Sequence, residues 1–377
     1  MKKFILIPDS FKGTLSSVQI CDIMKEKIDI HFPQSDVMCI PVADGGEGSV
    51  DAFITAIGGE KVYETVKNPY FEDMKSYYGL IDGGQTAVVE MASCSGLPLV
   101  EDRKNPKLTT TYGAGELILA AAKSGVKKII VGLGGSSTND GGCGAAAAVG
   151  VKFYDKDGKA FVPTGGTLID IAKIDLAGKD EALKKVEIVT MCDIDNPMFG
   201  KTGASYIFGP QKGADPQMIE ELDQGIKNLS KVIADTTGKD ISEIPGTGAA
   251  GAMGAGMIAF FDSRLQMGIQ TVLDTVRLDD IISDADYILT GEGKLDSQSL
   301  RGKVVIGIAG RAKKQNKNVI AIVGGADDAE IDEAYEMGVT AVFPINRLPQ
   351  DFSISKNYSK ENLSYTVDNI LRLIKTK

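Results

Sequence analysis

The residues best suited to chemistry begin with the stretch Gly132-Leu133-Gly134-Gly135-Ser136-Ser137-Thr138-Asn139-Asp140-Gly141-Gly142. It follows the apolar run Ile129-Ile130-Val131 and precedes the Ala-rich segment from Cys143 to Val149, so the simplest reading is strand, glycine loop, helix. Glycines let a backbone take left-handed angles and approach a ligand closely. Free amides at a helix start, at the positive end of its dipole, attract an anion such as phosphate. Gly134, Gly135, Ser136 and Ser137 are therefore candidate phosphate contacts, against the plainer reading of a tight turn with a Ser/Thr/Asn cap.

Charged groups recur in four further stretches, three of them containing glycine. Asp193 and Asp195 lie two apart at a strand end, so an extended backbone turns both to one side. Paired carboxylates suit Mg²⁺ with phosphates, or one of them serves as general base; an Asx turn before Pro197 explains the same residues. Asp44 and Glu47, among Gly45, Gly46 and Gly48, can hold Mg²⁺ or a substrate hydroxyl, or simply be acids favoured in a helix's first turn. In Asp9-Ser10-Phe11-Lys12-Gly13-Thr14, Lys12 can meet a phosphate or carboxylate as a point charge, or remain a solvated loop lysine. Thr290-Gly291-Glu292-Gly293-Lys294-Leu295-Asp296 follows a strand, with Arg301-Gly302-Lys303 just after. Glu292, Lys294, Asp296 and Arg301 would suit a small polar acid, where the alternative is a plain strand–helix loop.

Two apparent motifs fail on their context. Gly246-Thr247-Gly248-Ala249-Ala250-Gly251 matches G-x-G-x-x-G, but the preceding Ile241-Ser242-Glu243-Ile244-Pro245 is short, polar and ends in proline. A nicotinamide fingerprint needs a strand there, so close packing or another ligand loop fits better. Gly200-Lys201-Thr202 has the end of a P-loop, but Asp195 stands where its first glycine is required.

Positioning these loops requires α/β architecture. Residues 4–8 read as a strand, and Ser16 with Gln19 forms a capping box for a helix burying Ile20, Ile23, Met24 and Ile28. A strand from Val37 to Val42 and another helix complete a βαβα pattern, which implies a parallel sheet. Short runs at 61–66, 76–81 and 87–91 suggest an antiparallel meander and hence a second domain. A helix over 113–124, strands at 128–133 and 186–191, and a helix after Asp215-Pro216 with an Ile219, Leu222, Ile226, Leu229, Ile233 stripe continue it. Strands at 287–290, 319–323 and 341–343 restore the βα pattern. The expected organisation is therefore one discontinuous α/β domain, 1–67 plus 269–377, interrupted by an inserted α/β domain, 68–268, with a ligand cleft between them.

Composition excludes several classes of function. A formal net charge of −10 argues against nucleic acid as partner. The cysteines Cys21, Cys39, Cys94, Cys143 and Cys192 are scattered and without a Cys-x-x-Cys pair, which suggests reduced thiols in a cytoplasm and no zinc knuckle. The one histidine, His31, nearly removes a Ser/His/Asp triad and reads as the end of a surface helix. The apolar start is cut short by Pro8-Asp9, against a signal peptide. The uncharged run from Pro245 to Phe261 is mostly Gly and Ala before Met257 and reads as a packed loop and helix rather than a membrane span. Oligomeric state is not readable.

Taken together, PDSFKGTLS (8–16), DGGEG (44–48), GLGGSSTNDGG (132–142), CDIDNP (192–197), FGPQKGA (208–214), GTGAAG (246–251) and TGEGKLDSQS (290–299) occur in an order that resembles the glycerate kinase type 1 family. Ser136-Ser137-Thr138, where a small residue is expected, and Ser299, where threonine is usual, are mild departures. The resemblance implies ATP-dependent phosphorylation of D-glycerate, in bacterial members usually to 2-phosphoglycerate, and a Rossmann-like domain interrupted by a second α/β domain. It suggests Asp193 as acceptor of the hydroxyl proton, Asp195 or Asp44 as holders of Mg²⁺, and residues 134–138 as a phosphate cradle. Ser10, Lys12, Lys294 and Arg301 would meet the glycerate carboxylate or the transferring phosphoryl group, Lys294 in a catalytic role. The alternatives are a kinase for another small hydroxy acid, 3-phosphorylation, or a non-catalytic acid- or nucleotide-binding protein.

Overall fold

Six residues with almost no polarity, Lys3–Pro8, form the first strand, β1, and all but Lys3 are buried. A strand covered on both faces reads as such a continuous apolar run. In the computed structural model, which describes residues 1–42 and 45–376, β1 leads to a helix over Ser17–His31 and a short strand β2 (Asp36–Cys39). The capping box closes this helix: the Gln19 amide donates to the Ser16 hydroxyl at 3.2 Å, and the Ser16 amide to the Gln19 side chain at 2.9 Å. The paired register of β2 ends at Cys39, short of the expected Val42. The Ile40 and Val42 amides still donate to Leu6 and Pro8 carbonyls.

The chain then builds β3 (Gly59–Lys67), β4 (Asp73–Ile81), β5 (Thr86–Glu90), β6 (Lys128–Gly132), β7 (Lys152–Tyr154), β8 (Ala160–Phe161), β9 (Lys173–Asp175), β10 (Glu187–Met191) and β11 (Arg264–Gln266), and returns through β12 (Tyr287–Glu292), β13 (Val319–Val323) and β14 (Ala341–Pro344). It divides into two compact units: Met1–Ala43, Thr55–Ile57 and Ile269–Lys377 form the first, Asp44–Ile54 and Gly58–Gly268 the second. Residues 58–67, expected in the first domain, lie in the second unit because β3 pairs with β4 along its whole length, from Gly59 opposite Ile81 to Lys67 opposite Asp73.

In the first unit the sheet order is β14-β13-β12-β1-β2, all parallel. The capped helix packs on the C-terminal helix Ser359–Lys375. The core between them includes Phe4, Leu6, Ile20, Met24, Leu289, Val367 and Leu371. His31 ends its helix as expected and pairs with Asp368 at 2.7 Å.

In the second unit the order is β11-β10-β6-β5-β4-β3. The four strands from β11 to β5 are parallel, and β5, β4 and β3 form the antiparallel meander. Strands β7, β8 and β9 make a small antiparallel sheet. Those strands and β11 have two or three residues each, too few for an alternation to register in the sequence. Helix Pro216–Thr237 buries Ile219, Leu222, Ile226, Leu229 and Ile233, as its spacing predicts. No helix among the described residues is long and apolar enough to cross a membrane, and all five cysteines are free thiols.

Candidate active site

The first unit has a topological switch point. Strands β1 and β12 are neighbours, but β1 continues to β2 on one side while β12 continues to β13 on the other. The loops at their carboxyl ends therefore diverge and leave a crevice, the place where open α/β sheets bind ligands. Here it is a cavity of about 520 Å³, lined among others by Asp9, Ser10, Lys12, Glu292, Lys294 and Asp296.

Each wall of this cavity has a local cause. The Asp9 amide donates to the Gly291 carbonyl at 2.8 Å, fastening the β1 loop to β12, and the Ser10 amide donates to the Asp9 carboxylate at 2.6 Å. Gly291 has no room for a side chain, since a Cβ would lie 2.1 Å from the Ile322 carbonyl of β13. Glu292, the last residue of β12, is only 5 % exposed, and its Oε1 has no hydrogen-bond partner. Burial pushes this carboxyl up to about 7; Asp9 and Asp296 push the same way, and Ser299 and Lys303 oppose. Lys294 is paired with Asp327 at 2.8 Å. Asp296 accepts from the amides of Gln298 and Ser299, so part of its role is to shape the turn. Arg301 is exposed, in the single 3₁₀ turn Ser299–Arg301, and does not line the cavity. Lys303, two residues on, does line it, and its Nζ donates to Gln298 at 2.8 Å. That turn carries Arg301 outward, a rotation that sequence spacing did not reveal.

The second unit gathers the other candidates at the carboxyl ends of adjacent strands. The glycine loop leaves β6, and Asp193 and Asp195 follow β10, its parallel neighbour. Two motifs distant in sequence lie against each other here: the Gly134 amide donates to the Gly45 carbonyl at 2.9 Å, and a Cβ on Gly134 would stand 2.6 Å from the Gly46 Cα. Gly135 is exposed at φ +73°, while Ser136 is buried. Ser137 is also buried, and both its amide and its hydroxyl donate to the Ser95 carbonyl.

The helix start after this loop differs from the expectation. Its amides are taken by the protein itself. Gly142 and Gly144 donate to the Asp140 carboxylate, Cys143 to the Asp140 carbonyl, and Ala145 to the Thr111 hydroxyl. Asp140 is fully buried and also accepts from the Thr111 amide at 2.8 Å and hydroxyl at 2.9 Å. The anion at this helix terminus is thus Asp140, and any external phosphate would have to meet the loop at the exposed Gly135 instead.

Behind the loop, Lys212 is 1 % exposed and donates to the Thr138 carbonyl at 2.6 Å. Burial pulls its ammonium down to about 7, with Asp140 opposing. Thr138 Oγ1 and Asn139 Oδ1 are buried without a partner. The GTGAAG stretch is a packing element. Ala250, Gly251 and Ala252 take left-handed angles of +54°, +66° and +65°, and a Cβ on Gly251 would lie 2.2 Å from the Thr138 carbonyl. Close packing, one of the two roles expected of this stretch, is the one found; the roles of Lys212 and Asp140 were not expected from spacing, because each acts through burial.

Asp193 and Asp195 are both exposed. Asp193 accepts from the Gly268 amide at 2.7 Å, which ties the β10 loop to the segment after β11. Burial pushes the neighbouring Cys192 thiol up to about 11, so it is a poor nucleophile. Asp44 lies outside the described residues, and Glu47 is exposed. Among the described residues no group of three or more His, Cys, Asp or Glu side chains could hold a metal ion.

Comparison with known proteins agrees with these motifs. The model of the glycerate kinase family matches residues 4–375. A glycerate kinase from Bacillus cereus is 42 % identical, covering 98 % of this chain and 97 % of the relative. A glycerate 2-kinase from Escherichia coli is 42 % identical, covering 91 % of this chain and 90 % of the relative. The crystal structure of a candidate glycerate kinase 2 from Salmonella typhimurium LT2 superposes with a TM-score of 0.86 at 38 % identity, covering 100 % of this chain and 98 % of that one. This chain belongs to the glycerate kinase family.

Proposed function

We propose that this enzyme phosphorylates D-glycerate at its 2-hydroxyl, with MgATP as donor, in the cytoplasm. The observation that carries the reading is the end-to-end match to the family, with relatives named for glycerate phosphorylation and one for the 2-position. Phosphoryl transfer asks the protein for alignment, charge neutralisation and a group that orients or deprotonates the hydroxyl. The charged loops of the two units supply groups of those kinds.

The residues present fit MgATP. Mg²⁺ keeps several waters and is usually held by one or two carboxylates plus phosphate oxygens, and Asp195 is an exposed carboxylate just after β10. Asp195, with Asp44, would hold the ion, which when bound neutralises charge on the phosphate oxygens. Asp193 accepts the proton of the glycerate hydroxyl; its tether to the Gly268 amide restricts where the carboxylate can point. Gly135, at the exposed corner of the loop, meets phosphate oxygens, with Ser136 beside it, while Gly134, whose amide goes to Gly45, shapes the corner. Ser137, whose amide and hydroxyl both reach Ser95, holds that loop in shape. Ser10, Lys12, Glu292, Lys294 and Asp296 serve ligand binding in the first unit, and Lys303 takes the place of Arg301 as its third cation.

³¹P NMR of the product from D-glycerate and MgATP tests the reading, because 2- and 3-phosphoglycerate give distinct resonances. A 3-phosphoglycerate signal, or none, overturns it. Asp193→Asn should lower turnover by a factor on the order of 10²–10⁴, the usual range for a general base. Near-normal turnover would remove Asp193 from the role.

A further inference from the structure

Family membership leaves open which unit holds the nucleotide. Resting on the MgATP reading above, we propose that the cavity at the β1–β12 switch point takes the nucleoside end of ATP. The base lies toward Phe11, Ile345 and Phe352, and the ribose hydroxyls toward Glu292.

Size is the first argument. A cavity of about 520 Å³ lies within the range that encloses a drug-sized ligand. A three-carbon acid would leave most of it filled with water. Its polarity is the second. The lining combines Phe11, Ile345 and Phe352 with Glu292, Lys12 and Lys303, so apolar side chains for a base and charged groups for sugar and phosphate meet in one cavity. A glycerate site would need little apolar wall. Phe352 is 63 % exposed, a cost in apolar hydration that a stacked base would relieve.

The third argument is Glu292. Its Oε1 is buried and unpartnered, and a buried acceptor without a donor costs free energy. A ribose supplies two O–H donors, and a carboxylate at a strand end is the usual partner of ribose hydroxyls in nucleotide-binding α/β sheets. The fourth is Gly325, which follows β13 and lines the same cavity. Its neighbour Gly324 is required, since a Cβ there would stand 2.4 Å from the Gly293 carbonyl. At Gly325 a Cβ would meet nothing within 4 Å, and its φ is not in the left-handed region. Neither packing nor backbone strain demands glycine there, and its absent side chain leaves room for a molecule to pass close to the backbone.

Gly325→Leu adds a side chain at the cavity lining, at a position where a Cβ meets nothing within 4 Å. Calorimetric titration of wild type and variant with AMP, with ADP and with D-glycerate should show AMP and ADP binding weakened at least about tenfold in the variant, and D-glycerate binding unchanged. ADP should slow amide hydrogen exchange in wild type at residues 292–296 and 324–326, a readout that needs no variant to fold. Unchanged nucleotide affinity in Gly325→Leu, or loss of D-glycerate binding alone, overturns the proposal. So does nucleotide protection confined to the second unit. Nucleotide binding at this cavity in a wild type that transfers no phosphate to D-glycerate would uphold the cavity and overturn the proposed function.

Discussion

Replacing Glu292 by glutamine removes a charge that the fold disfavours. The carboxyl is 5 % exposed, at the end of a buried strand, with Asp9 and Asp296 adding negative charge nearby. Burial raises it from 4.5 to about 7. Because the native value is the higher one, the native state binds the proton more tightly than the unfolded chain. Below pH 4.5 both states are protonated and nothing is lost. As pH rises through 4.5 toward 7, the unfolded chain ionises first and native stability falls; above 7 the loss is constant. Two and a half pKa units correspond to roughly 3 kcal/mol at about 1.4 kcal/mol per unit. Glu292→Gln has no such titration. It loses the carboxylate's interaction with Ser299, an offset of about 1 kcal/mol that depends little on pH. The stability difference, variant minus wild type, should therefore grow by roughly 2–3 kcal/mol between pH 5 and pH 8. Urea unfolding at a series of pH values, with hydrogen exchange of β12 amides to isolate the first unit, measures it. Parallel pH profiles for the two proteins would refute the reasoning, because they would mean that Glu292 ionises in the native state as readily as in water.

Two other perturbations test the second unit. Asp140→Ala strips acceptors from the Thr111 amide and hydroxyl and from the Gly142 and Gly144 amides, all in a buried setting, and should cost at least about 3 kcal/mol; a urea midpoint near that of wild type would show that the loop holds itself. Lys212 titrates in the opposite sense to Glu292. Its native value is depressed to about 7 from 10.5, so the unfolded chain binds the extra proton between those values, and stability rises as pH rises from about 7 toward 10.5. Lys212→Met should flatten that alkaline rise, and a rise of equal slope in the variant would place its source elsewhere.

Much of the fold was legible because its signals are local. The apolar run at 4–8, the Ser16–Gln19 box and the Ile219-to-Ile233 stripe each depend on residues within one element. The assignment of β3 was not local: its partner β4, and with it the unit that residues 58–67 join, depends on pairing across a turn. The site divided in the same way. Glycine-rich loops after strands could be recognised by composition, and so could their charged residues. Which amides remained open to a ligand could not, because Asp140 reaches its partners only when Thr111 and Gly144 are brought around it. Arg301 and Lys303 are equivalent on paper; the single 3₁₀ turn between Ser299 and Arg301 turns one outward and the other to the cavity.

The sequence by itself determined the α/β class, the order of the loops and the family. These follow from periodicity, glycine placement and ordered motifs, all short-range along the chain. Only the tertiary structure decided that Glu292 is buried with an unpaired oxygen, that Asp140 occupies the helix start, and that Gly325 faces open space. Burial and hydrogen-bond partnership are properties of surroundings, and the surroundings of these residues are assembled from segments far apart in the chain.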